Sequence, residues 1–170
     1  MTVLILQPEL HNKIWGGTNL KQFNYDLASD HVGEAWVIAA HNNGVSTVIN
    51  GQYKGKTLTE IWNEQPDLFG GHDENQEFPL LVKILDAHEN LSIQVHPNDK
   101  QSSENFGKTE SWYILDATPD AKLYYGHYAT DQADLKNLVA EKAWDKLLRT
   151  IPVQKGDFFY VPAGTFHALG

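Results

Sequence analysis

Short apolar runs and stretches of alternating apolar and polar residues make up most of the chain, with Gly, Pro, Asn and Asp between them. This pattern predicts strands over residues 35–39, 46–49, 80–85, 91–95, 111–115, 122–125 and 158–161. The period lengthens in two places. Thr57-Leu-Thr-Glu60 has the spacing of a capping box and predicts a helix running to about residue 69, despite Pro66. Across residues 131–149, Leu135, Leu138 and Val139, then Trp144, Leu147 and Leu148, fall at helical spacing and predict two short amphipathic helices. Many short strands separated by turn signals predict a mainly β barrel or jelly roll with a few short α-helices, rather than a βαβ fold. No Gly-rich phosphate loop of the P-loop or dinucleotide type is present.

Composition narrows the chemistry. A hydrophobic fraction of 41% is enough for a core, so residues 1–170 are expected to form one folded domain. No apolar run approaches the roughly 20 residues of a membrane span, and the start lacks the pattern of a signal peptide. A cytoplasmic location without membrane partners is therefore expected. The absence of Cys removes disulfides, thiolate metal sites and a thiol nucleophile, leaving His, carboxylate and amide oxygen as metal donors. Asp and Glu exceed Lys and Arg by 22 to 13, a net charge of −9, which opposes nucleic-acid binding. A small anionic ligand remains compatible if a few lysines converge. Nothing in the pattern fixes an oligomeric state.

Three segments carry candidate chemistry. Along the expected strand over 91–95, Ser92, Gln94 and His96 share one face and Leu91, Ile93 and Val95 the other. Alone, this also fits a surface strand with its polar face in water. Lys108 and Glu110, two apart at the start of the next strand, likewise fit an exposed pair at a sheet edge. The third segment, Gly156-Asp-Phe-Phe-Tyr-Val-Pro-Ala-Gly-Thr-Phe-His167, matches the second cupin motif, G-x5-P-x-G-x2-H, at every specified position. Gly156 would turn the chain into a strand, Pro162 would end it, and Gly164 would reverse the backbone and swing His167 inward. Together Gln94, His96, Glu110 and His167 offer two imidazoles, a carboxylate and an amide oxygen. Such a set suits one first-row divalent ion, zinc most naturally, or forms a polar cluster without metal.

At these residues the chain resembles the type I mannose-6-phosphate isomerases, particularly the shorter bacterial form. The resemblance rests on Lys13-Ile-Trp-Gly-Gly17, Val32-Gly-Glu-Ala-Trp36, Phe78-Pro-Leu-Leu-Val-Lys-Ile-Leu85 and the three segments above, continuing to Gly170. It implies a cupin fold and a metal-dependent interconversion of mannose 6-phosphate and fructose 6-phosphate through an enediol. It also implies one zinc per chain, held by Gln94, His96, Glu110 and His167. By the same resemblance Lys108 and Lys83 are catalytic candidates, Lys108 for proton handling or carbonyl orientation. Ser92 and Lys83 are candidate contacts to the substrate phosphate. Trp15 and Trp36 are expected to be core aromatics. His11, His31, His41, His72, His88 and His127, which lack any motif, are expected to be surface or hydrogen-bonded histidines.

Family members continue beyond the position matching Gly170, so the chain is expected to be an N-terminal cupin domain incomplete at its C-terminal end. As an isolated chain it is expected to have little or no activity. Two other functions fit the class. One is a non-catalytic sugar-phosphate-binding cupin, which would have little reason to keep all four donors with Ser92, Lys83 and Lys108. The other is an iron-dependent cupin, which usually carries His-x-His where this chain has Gln94-Val-His96.

Overall fold

The computed structural model describes residues 3–74, 76–103 and 106–170. The chain divides into two compact units, the first ending at His88 and the second beginning at Glu89.

In the first unit β1 (Leu6–Gln7), β2 (Glu9–Gly17), β3 (Val32–Ile38), β4 (Ala40–His41), β5 (Gly44–Val45) and β6 (Thr47–Val48) precede helix α1 (Leu58–Glu64), and β7 (Val82–Leu85) closes the unit. The main sheet is antiparallel in the order β2-β3-β7. The short strands pair as β1 with β6 and β4 with β5. Leu20, Val32 and Ala35 are buried in the core, with Leu10, Tyr25, Leu27, Val37 and Ile84 packed against them. The capping box read from sequence closes α1: Thr57 Oγ1 accepts from the Glu60 amide at 3.2 Å, and the Glu60 carboxylate accepts from the Thr57 amide at 2.7 Å. That helix buries Leu58, Ile61 and Trp62. It ends at Glu64, and Pro66 opens a separate 3-10 turn, Pro66–Phe69, because proline cannot donate to the preceding turn.

In the second unit β8 (Glu110–Tyr113) and β9 (Lys122–His127) are followed by α2 (Gln132–Ala140), α3 (Trp144–Leu147), β10 (Leu148–Pro152), β11 (Phe158–Val161) and β12 (His167–Leu169). One antiparallel sheet has the order β10-β9-β12, and β11 pairs with β8 in another. Leu123, Leu147, Leu148, Val161 and Ala168 are buried.

Two expectations from sequence need correction. The expected strand over 91–95 is not a strand: it makes one isolated antiparallel bridge, Gln94 with His167. Its apolar face is also not its buried face, since Ile93 and Val95 are exposed. Three backbone contacts hold it. The Leu91 amide donates to the Leu169 carbonyl, Gln94 and His167 exchange both hydrogen bonds at 2.9 Å, and the Gly164 amide donates to the His96 carbonyl. The second expected helix across residues 131–149 stops at Leu147, and β10 starts at the next residue.

Candidate metal centre

The third sequence segment builds the centre's floor. β11 runs Phe158–Val161, and Gly156 and Gly164 adopt φ of 93° and 84°, left-handed conformations that L side chains rarely reach. The reversal at Gly164 delivers His167 into β12, where the residue is 4% exposed. Its Nδ1 lies 2.8 Å from the Thr165 carbonyl oxygen. A carbonyl only accepts, so Nδ1 donates, and in the neutral ring Nε2 keeps a bare lone pair. That Nε2 is buried and has no hydrogen-bond partner among the described residues.

Glu110 opens β8 opposite Val161 on β11. Side chains alternate along the strand, so Glu110 and Trp112 share its inner face, and the Trp112 ring meets the His167 ring edge-on at 5.5 Å. The Glu110 carboxylate stands 3.5 Å from His167 Nε2 through one oxygen and 3.5 Å from His96 Nε2 through the other. One donor atom from each of His96, Glu110 and His167 lies within 4.8 Å of the others, so the group could hold a metal ion. A buried acceptor nitrogen without a donor, facing a carboxylate and a second imidazole, is the donor set a divalent cation satisfies.

Lys108 enters the same cluster. Its Nζ is 2.9 Å from Glu110 Oε1 and 3.2 Å from His96 Nε2. Burial works to raise the Glu110 carboxyl. The Lys108 hydrogen bond and charge, with the two histidines, outweigh it and hold the group below its ordinary value.

The remaining candidates separate. Gln94 is exposed, and its backbone is bonded to that of His167. Ser92 is exposed as well. Lys83 belongs to the first unit, on β7, where its Nζ lies 3.4 Å from Glu34 Oε2 and 4.4 Å from the centroid of the Trp36 ring.

The sequence reading passed over Glu34, which organises that part of the first unit. Buried on β3, it accepts from the Trp36 indole at 2.7 Å and also faces Lys13 at 3.5 Å. Burial pushes its carboxyl up, and the indole hydrogen bond and the two lysines bring it below its ordinary value. The available signal was the i, i+2 spacing of Glu34 and Trp36 on one strand face. Trp36 is buried as expected, and Trp15 is half-buried. His11 is not the surface or hydrogen-bonded residue expected. Its ring packs on Trp36 at 4.3 Å, and its buried Nε2 has no hydrogen-bond partner among the described residues. Burial accordingly pushes its pKa down, against the pull of Glu34 and Glu9.

Residues 3–125 match the family model described as phosphomannose isomerase type I, catalytic domain. The chain belongs to the type I phosphomannose isomerase family. The match includes Lys83, Ser92, Gln94, His96, Lys108 and Glu110 but stops before His167. Whole-chain likenesses reach further. The chain is 51% identical to the mannose-6-phosphate isomerase ManA of Bacillus subtilis and 50% identical to the mannose-6-phosphate isomerase of Streptococcus mutans, in each case over 98% of its own length. The crystal structure of mannose 6-phosphate isomerase from Bacillus subtilis superposes with a TM-score of 0.93 at 47% identity over 98% of this chain. The mainly β cupin architecture expected from sequence is thereby borne out. The chain spans 54% of each of these relatives, about half their length. Among the described residues no helix is long and apolar enough to cross a membrane.

Proposed function

We propose that this chain provides the metal-binding part of an isomerase that interconverts mannose 6-phosphate and fructose 6-phosphate. The observation that carries this reading is the approach of His96, Glu110 and His167 from three separate segments, with a buried lone pair on His167 Nε2 aimed at the other two. We assign zinc as the ion, one per chain, because two neutral imidazoles and one carboxylate suit it and leave positions open for an amide oxygen and for substrate or water. Gln94 is assigned the amide donor; its backbone bonds to His167 support that role. When bound, the ion would polarise the oxygens at C1 and C2 and stabilise the charge that develops on them as the proton moves.

The chain's own residues do the rest. Glu110 and the two imidazoles form the donor face. Lys108, in hydrogen-bond reach of Glu110, is assigned to carry the proton between C1 and C2 through the enediol or to orient the carbonyl. Trp112 covers His167 on one side and limits water there. Ser92 offers an exposed hydroxyl and Lys83 a cation for the phosphate. A charged sugar phosphate as substrate fits a protein acting in the cytoplasm.

Elemental analysis of the purified chain tests the centre. About one zinc per chain is expected, and His167→Ala should lose it. A metal content that is absent from the parent, or unchanged by the substitution, would remove the basis of the assignment.

A further inference from the structure

Between His96 and Glu110 the chain folds back on itself, and hydrogen bonds to the Gly107 and Lys108 amides close the loop. Asn98 sets the turn. Its Oδ1 accepts from the Lys100 and Gln101 amides, both at 3.1 Å, and its carbonyl accepts from the Gln101 and Ser102 amides. A side-chain oxygen used in this way fixes the local backbone. Asp99, the next residue, faces across the loop, where its Oδ1 accepts from the Gly107 amide at 2.8 Å. A carboxylate acceptor makes this a charge-assisted bond, stronger than one to a neutral oxygen. One residue further on, the Lys108 amide donates to the Pro97 carbonyl at 3.0 Å.

The two sides of this clasp meet main chain against main chain. A Cβ on Gly107 would stand 2.5 Å from the Asn98 carbonyl carbon and 2.6 Å from the Asp99 nitrogen, so only glycine leaves the approach open. The clasp thus ties the residues that follow His96 to those that precede Glu110. A lysine ammonium rides on a flexible four-carbon stem, and its aim depends on where its backbone is held. Here the backbone is held through Pro97 and Asp99, and the Lys108 Nζ reaches both Glu110 Oε1 and His96 Nε2.

We propose that Asp99 is a positioning residue: by clasping Gly107 it places the Lys108 ammonium against the donors of the metal centre, where it competes with an entering cation. This role rests on the metal centre assigned above. Asp99 is not among the residues whose donor atoms converge with one another there, so it acts through the lysine and not as a ligand. Asn at position 99 would keep the oxygen that accepts from Gly107, whereas Ala would lose it. Asp99 is exposed, so its truncation opens no cavity. A clasp of purely local importance would affect stability alone. One that aims Lys108 makes Asp99→Ala resemble Lys108→Ala in its effect on the ion.

Two measurements test this. In the chelator-treated chain, nuclear Overhauser contacts between the Lys108 Hε protons and the His96 ring are expected for the parent and for Asp99→Asn. They should be lost in Asp99→Ala, whose circular dichroism should stay that of the parent. In a competition titration with a chelator, Asp99→Ala is expected to bind zinc at least about threefold more tightly than the parent. Asp99→Asn should stay with the parent, and adding Asp99→Ala to Lys108→Ala should change nothing further. Overhauser contacts undiminished in Asp99→Ala, or missing from the parent, would overturn the proposal. So would a zinc affinity that Asp99→Ala leaves unchanged, or alters equally with and without Lys108, since Asp99 would then hold the donors and not the lysine. A parent that binds no zinc would remove the metal assignment, and the Overhauser contacts would then decide the clasp by themselves.

Discussion

The hydrogen bond from His167 Nδ1 to the Thr165 carbonyl decides which nitrogen of that ring is left for an ion. Thr165 lies two residues upstream, so the turn that delivers the ring also sets its tautomer. Lys108 Nζ stands against both Glu110 and His96. A cation entering the centre competes with it for those donors. Lys108→Ala is therefore expected to bind zinc as tightly as the parent or more tightly in a competition titration with a chelator. The His167→Ala variant, which removes a donor, is expected to lose at least about tenfold in the same titration. Glu34 supports a prediction of another kind. Its carboxyl is held below the ordinary 4.5 in the folded protein. The stabilisation it contributes is then fully present above about pH 4.5 and is lost as pH falls through the lower folded value. Melting curves between pH 6 and pH 3 should fall less steeply for Glu34→Gln than for the parent. At neutral pH the variant should melt lower, because Lys13 and Lys83 lose a charged partner.

At the scale of elements, local chemistry was readable where one signal acted alone. The capping box at Thr57 formed as spaced, and Thr57→Ala is expected to cost about 1 kcal/mol. In a domain of this size that lowers the melting temperature by roughly 2–4 °C, readable by circular dichroism. Elements were missed where two signals overlapped. β2 over Glu9–Gly17 was not expected because its register against β3 shifts between His11 and Asn12 and again before Gly17. Each shift flips the faces and erases the alternation a strand is recognised by. β10 was read as the end of a helix because Leu147 and Leu148, adjacent and both buried, satisfy either period. Over residues 91–95 the opposite error occurred: the alternation was present, but the opposing segment spends residues 162–164 on a turn, and only Gln94 and His167 remain to exchange two bonds.

At the scale of the molecule, the donors were legible as one set through motif and resemblance, and not through any pattern in the chain itself. His96, Glu110 and His167 lie on segments far apart in sequence, and no periodicity relates them; the motif around His167 and the family resemblance supplied the link. Lys13, Glu34, Trp36 and Lys83 lie in segments that carry the resemblance, but their mutual contacts became apparent only from the fold. The chain spans about half of the relatives it matches.

Gln94 and His167 exchange two main-chain hydrogen bonds, so the separation of their two side chains is fixed by backbone rather than by anything the side chains hold. An ion held there would thus meet two residues whose spacing the main chain already sets, unlike the metal of a small finger domain, whose fold exists only around it. The ordering of that pair then belongs to the folding of the chain and not to the binding of an ion.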